Sequence, residues 1–296
     1  MNIGNIPVIV IHGKTLPEVW EKSLLELWKK GMIIPTQYDR PQDPASRDCT
    51  AIMTIEEPFA EPRIHKSFPA GLEQLEIYRQ EVVEGVHDYW IKPEDGKWTY
   101  TYHKRLFDYR PAERDDRKII PYDACRYNWF NQIQFIIDGL ADVPYSRRCF
   151  GITYMPSYDQ GTEDPPCLQR VWCRCGNDES GDLVLNMNTH WRSRDAFKAA
   201  FMNMFALTDL QRFIAEGISK KISKPVKIGR YTDICDSYHI YGSYFGEFEK
   251  FLESVKNRTF KSRVWKSTDP IIQDAFQDGR EILRREKETG QIGMAR

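Results

Sequence analysis

At 296 residues, 41% hydrophobic and 13% aromatic, the chain has ample apolar material for a buried core in one large or two ordinary domains. Its 42 Lys and Arg against 43 Asp and Glu leave a net charge of -1, which excludes bulk electrostatic attraction to nucleic acid or a membrane, so local arginines must hold any anionic ligand. Seven scattered cysteines, no signal peptide and no apolar run of membrane-spanning length predict a reduced, soluble, cytoplasmic protein without a disulfide frame.

Residues 6–11, a β-branched run closed by His12 and Gly13, read as a strand. A helix follows, with Thr15 as its cap, Pro17 in its first turn, Val19, Trp20, Leu24, Leu27 and Trp28 at helical spacing, and Gly31 at its end. The polar loop 38–48 leads into a strand over 49–55 and places Arg40 and Arg47 where a guanidinium can fork onto a phosphate. Surface pairing of the loop arginine with Asp39 or Asp48 is the competing reading. Residues 71–85 are helical, with Leu72, Leu75, Tyr78, Val82 and Val83 apolar. Glu81 on this helix becomes a general base only if it faces a pocket. Trp90, Trp98, Tyr100 and Tyr102 crowd together before His103, Lys104 and Arg105, an arrangement that suits a flat ring ligand or the edge of a core.

The spacing predicts a helix over 127–139, then a turn running into a strand, with Arg147 and Arg148 where the strand begins. Neighbours on an extended segment point to opposite faces, so one arginine is expected to face a partner chain. Residues 168–175 and 183–189 alternate like the strands of a hairpin, and a long helix is expected over 195–218. Asn203, set among the apolar residues of that helix, must find hydrogen-bond partners. A strand over 226–231 leads toward His239 and Tyr241, which share a face and can both donate to sugar hydroxyls; half-buried residues with satisfied polar tips are the alternative. A helix over 242–255 and a charged helix and tail at about 268–296 complete a single expected domain spanning 1–296.

The chemistry turns on Pro165-Pro166-Cys167, a thiol at the end of a proline-stiffened turn. Arginines brought near it by the fold would lower its pKa and favour the nucleophilic thiolate. A zinc deaminase needs a Pro-Cys-x-x-Cys pair, and Cys167 is followed by Leu168, Gln169 and Arg170, which excludes that chemistry. Cys167, Cys173 and Cys175 lack the paired spacing of a zinc site, so no metal is expected. A third chemistry to weigh is a cysteine that adds to C6 of a pyrimidine nucleotide and activates C5 for one-carbon transfer.

Four fragments occur in order: Ser146-Arg147-Arg148 at a strand start, Pro166-Cys167, Arg192-Ser193-x-Asp195 with Asn203 eight residues later, and Asp236-x-x-His239-x-Tyr241. In this order they resemble the thymidylate synthase family. The resemblance implies an α/β (α+β) fold: a mixed β-sheet with long helices packed on one face and the other face paired in a homodimer. It implies Cys167 as nucleophile, Arg192 and Ser193 on the phosphate, Asn203 on the pyrimidine edge, and His239 and Tyr241 on the sugar. Arg47 resembles the family's loop arginine, with Arg40 as the alternative, and Tyr102 its pocket tyrosine. Arg147 and Arg148 are implied to reach the neighbour's phosphate site, while Asp195 and Trp90 fall on the folate side. The implied substrate is a pyrimidine nucleoside monophosphate and the implied co-substrate 5,10-methylenetetrahydrofolate.

The chain departs from the family pattern in several places. Leu168 stands where the family has His, and the Gly and Pro between the Asp and the Asn are missing from residues 196–202. Counting back from Gly85 puts the family's glutamate on Tyr78, and Glu81 is assigned as general base instead. The C-terminus reads Gly293-Met294-Ala295-Arg296 rather than a short apolar tail. Asn203 can pair with O4 and N3–H of uracil by turning its amide, so dUMP is the expected nucleotide, with dTMP the product. Hydroxymethylation of dUMP, dCMP or CMP by water in place of hydride is the alternative, decided by how well the site excludes water. A binding relative without catalysis is a third reading, against which stands the retention of Cys167 with its arginines.

Overall fold

Segments of alternating burial build the strands that carry the site. The structure, a computed structural model, describes residues 4–95, 98–110 and 129–290. In chain order its elements are β1 (Val8–Gly13), α1 (Leu16–Lys30), β2 (Met32–Ile34), β3 (Ser46–Ile55), β4 (Ile64–His65), α2 (Leu72–Glu84), α3 (Tyr102–Phe107), α4 (Gln132–Asp142) and β5 (Phe150–Ile152). There follow α5 (Pro156–Asp159), β6 (Leu168–Asn177), β7 (Leu183–Asp195), α6 (Ala200–Ile222), β8 (Val226–Ile240), α7 (Phe245–Asn257), β9 (Val264–Trp265) and α8 (Pro270–Thr289).

One mixed sheet runs β1-β3-β8-β7-β6-β5, with β2 beside β3. The β1–β3 and β7–β8 pairs are parallel and the others antiparallel. Period two separates its faces: Cys49, Ala51, Met53, Leu185, Met187 and Cys235 are fully buried on the face covered by α1 and α6. On the other face Val8 and Val10 are 59% and 72% exposed. Trp20 joins α1 to the site, its indole N–H donating to the carbonyl of Ala196 at 2.9 Å and its ring lying edge-on to Phe201 and Phe251. Burying a side chain of that size contributes about 3 kcal/mol.

Two local features set element ends. At Gly85, φ is +68°, and a Cβ would meet the His103 ring at 2.3 Å, so only glycine closes α2 there. The long helix begins at Ala200 rather than 195, because the Asp195 carboxylate accepts from the N–H groups of Phe197 (2.9 Å) and Lys198 (2.8 Å) and holds them in a turn. Thus β7 extends through the whole Arg192–Asp195 motif, and β8 continues to Ile240, carrying His239. The helix expected over 127–139 lies at Gln132–Asp142, capped by Asn131, with residues 127 and 128 outside those described. The charged C-terminal segment is, through Thr289, a helix with Ile272, Phe276, Leu283 and Glu286 buried, lying along α2; residues 291–296 are outside those described. Among the described residues no helix is long and apolar enough to cross a membrane, and no cluster of His, Cys, Asp and Glu could hold a metal.

Candidate active site

Cys167 sits where the proline strap meets β6. Prolines 165 and 166 lack N–H donors, and Arg192 reads their free carbonyls, donating from Nε to Pro166 (3.2 Å) and from a terminal nitrogen to Pro165 (2.5 Å). The backbone N–H of Arg192 also donates to the Cys167 carbonyl at 2.9 Å, and that of Leu168 to the Tyr102 hydroxyl at 3.4 Å. The thiol is therefore fixed from both sides by backbone, and its sulfur makes no hydrogen bond among the described residues. Burial is the largest influence on it and pushes its pKa up; Arg192 and Arg194 pull down, Asp164 pushes up, and the net direction is upward. This corrects the expectation of a depressed pKa: the arginines are present, but desolvation outweighs them, and the resting group is the thiol.

A cavity of about 510 Å³ opens beside the sulfur. It is lined by Cys167, Tyr102, Arg192, Ser193, Asp195, Asn203, His239 and Tyr241, which the strap, α3, β7, α6, β8 and the turn after β8 bring together. Asn203, 8% exposed, answers the need for a partner by donating from Nδ2 to the Tyr78 hydroxyl at 2.6 Å. Tyr78 also lines the cavity, and burial pushes its phenol up, so it stays neutral. His239 turns Nδ1 to the Ser237 carbonyl at 3.2 Å, and its Nε2 is buried without a partner among the described residues. Burial lowers the His239 pKa and raises that of Asp195 to about 6.

A second cavity of about 510 Å³ shares Tyr102, Glu163 and Asp164 with the first. Glu81 and the aromatic rings of Trp98 and Tyr100 line it. Trp90 does not: it lies behind Glu81, stacked on His87 with centroids 3.7 Å apart. Four further expected residues lie outside both cavities. Arg47 places its guanidinium 4.5 Å over the Trp28 ring rather than pairing with Asp39 or Asp48, and its Nε is buried without a partner among the described residues. Arg147 and Arg148 are exposed just before β5. Arg40 is exposed as well.

Sequence reasoning passed over Arg194, the unassigned position of the Arg192–Asp195 motif. It is 3% exposed, lines the first cavity, and forks onto Asp233 through both terminal nitrogens. Asp233 also accepts from Tyr231 (2.7 Å), Thr189 (3.1 Å) and Trp191 (3.2 Å). Such a fully paired carboxylate is what a buried arginine requires. Tyr78 was also missed, its position relative to Gly85 being the signal available for it, and Trp98 was named in the aromatic cluster but not as a site residue.

A backbone-fixed cysteine thus lies beside a cavity lined by Arg192 and Arg194, on a mixed α/β fold with helices over one face of the sheet. The sequence profile of the thymidylate synthase family matches residues 72–278, and the chain belongs to that family. Among its relatives, a Methanocaldococcus jannaschii protein described as "Putative thymidylate synthase" is 27% identical over 258 residues, covering 83% of this chain and all of that protein (100%). A Methanosarcina mazei protein of the same description is 23% identical over 251 residues, 83% of this chain and 95% of that one. Thermostable thymidylate synthase A from Bacillus subtilis has the same fold, with a TM-score of 0.56 at 16% identity, covering 81% of this chain and 84% of that one.

Proposed function

We propose that this protein converts dUMP to dTMP with 5,10-methylenetetrahydrofolate, Cys167 adding to C6 of the pyrimidine. The observation that carries the reading is the convergence of Cys167, Arg192, Ser193, Asn203, His239 and Tyr241 on one cavity, in a chain of this family. Arg192 and Ser193 hold the phosphate, and the unpartnered Nε2 of His239 and the hydroxyl of Tyr241 meet the sugar.

The base edge follows from the bond between Asn203 and Tyr78. With Nδ2 committed to the phenol oxygen, Asn203 offers Oδ1 as acceptor, and the Tyr78 O–H is free to donate. An acceptor beside a donor complements N3–H and O4 of uracil, the reverse of what cytosine presents. When Cys167, its thiol proton released to solvent, adds at C6 as the thiolate, the electron pair moves toward C5 and O4, where the Tyr78 hydroxyl stabilises it. Glu81 then takes the C5 proton.

The adjoining cavity, walled by Trp98, Tyr100 and Tyr102, suits the flat ring of a folate. The folate supplies the one-carbon unit and the hydride that completes a methyl group.

A homodimer across the open sheet face belongs to the same proposal. In register, Val10, Ile52, Ile234, His190, Arg170 and Ile152 form a row across that face, and the side chains of Arg147 and Arg148 have no ion pair among the described residues. Such a pair of free guanidiniums is suited to a phosphate in the neighbouring site.

The test is incubation with methylenetetrahydrofolate and, separately, dUMP, dCMP, UMP and CMP, reading nucleotide mass and folate product together. A methyl gain on dUMP with dihydrofolate is the expected result. A hydroxymethyl gain with tetrahydrofolate would replace methylation by hydroxymethylation, and no product from any nucleotide would leave a binding protein.

A further inference from the structure

Behind Glu81 the wall of the second cavity continues into a buried row of titratable side chains. His87 is 2% exposed; its Nδ1 lies 3.1 Å from Glu81 Oε2, and its Nε2 lies 3.6 Å from Glu286 Oε2. Glu286, 4% exposed, accepts through Oε1 from the Tyr89 hydroxyl (2.6 Å) and the Trp90 indole N–H (3.1 Å). Trp90 lies flat on the imidazole, 10° from parallel, and stops the ring from turning. Glu286 comes from α8, beyond the segment 72–278 that matches the family, so nothing in that match assigns it a role.

Two carboxylates facing one buried imidazole are a costly way to stabilise a fold, since apolar packing of the same volume does as well or better. What the row does instead is fix one oxygen of a carboxylate whose residue faces the cavity: His87 Nδ1–H donates to Glu81 Oε2, and Nε2 on the far side of the ring faces the Glu286 carboxylate at 3.6 Å. Partners of this kind orient a reacting group and restrict its rotation.

We propose that His87 and Glu286 are positioning residues for Glu81, so that the C-terminal helix α8 is a working part of the active site. This rests on the reading of Glu81 as the general base. The experiment measures kcat and nucleotide KM for Glu81→Gln, His87→Gln and Glu286→Gln, with Glu281→Gln as control; Glu281 pairs on the surface of the same helix with Arg284 and Arg285. Glu81→Gln is expected to lower kcat by about 10²–10⁴-fold. His87→Gln and Glu286→Gln are expected to lower kcat by about 10–100-fold with KM within about threefold, and the control leaves both unchanged. Glu286→Gln is nearly isosteric, and its amide oxygen still accepts from Tyr89 and Trp90, so a purely structural role would leave kcat untouched. An inactive Glu81→Gln beside fully active His87→Gln and Glu286→Gln, or a raised KM with unchanged kcat, overturns the positioning role. A fully active Glu81→Gln overturns the general-base reading itself.

Discussion

Cys167→Ser is expected to cut turnover of dUMP by about 10⁴-fold or more while leaving the nucleotide Kd within about threefold. A serine hydroxyl is far less ionised than a thiol and has no base of its own here, so addition at C6 loses its nucleophile. Binding survives because the sulfur makes no hydrogen bond that holds the site together: Arg192 reads the carbonyls of Pro165, Pro166 and Cys167, not the sulfur. Arg192, Ser193, Asn203, His239 and Tyr241 keep their places around the cavity. Steady-state turnover and calorimetric titration with dUMP check the two halves separately. Loss of binding together with turnover would make Cys167 a structural residue.

Asp233→Ala is expected to destabilise the fold by about 3–5 kcal/mol, because it leaves Arg194 buried and charged without a partner. Arg194 is 3% exposed, its Nε already has no partner among the described residues, and Asp233 accepts from both of its terminal nitrogens. The same substitution strips an acceptor from Tyr231, Thr189 and Trp191, all buried. Against a total stability of about 5–15 kcal/mol, that loss is a large fraction. The denaturation midpoint measures it, and a cost below about 1 kcal/mol would mean that Arg194 finds another partner. Arg194 also pulls the Cys167 pKa down, so the pair couples the core of the sheet to Cys167.

What was legible in the sequence was the set of residues whose roles depend on identity and order. The motifs around Cys167, Arg192, Asn203 and His239 come from separate stretches, and β6, β7, α6 and β8 deliver them to one cavity. Strand and helix periodicity found most elements, and the boundaries slipped where a side chain intervened, as Asp195 does by capping its own turn. What depends on burial was not legible. Arginines near Cys167 can be counted in a sequence, but the desolvation that outweighs them cannot. The Arg194–Asp233 pair joins residues 39 apart, and only the parallel register of β7 and β8 brings their strands side by side. Among the indoles, Trp90 and Trp98 are equivalent in the sequence; the stacking on His87 turns Trp90 away and leaves Trp98 at the cavity. Tyr78 was noted only as a departure, and its meaning required seeing its hydroxyl on Asn203.

The most direct measurement is rapid acid quenching of the enzyme, in excess over dUMP and with methylenetetrahydrofolate present, followed by peptide mass mapping. The mechanism predicts a nucleotide attached to the peptide that carries Cys167. A nucleotide on any other cysteine, or product formed with no labelled peptide at any quench time, would contradict it.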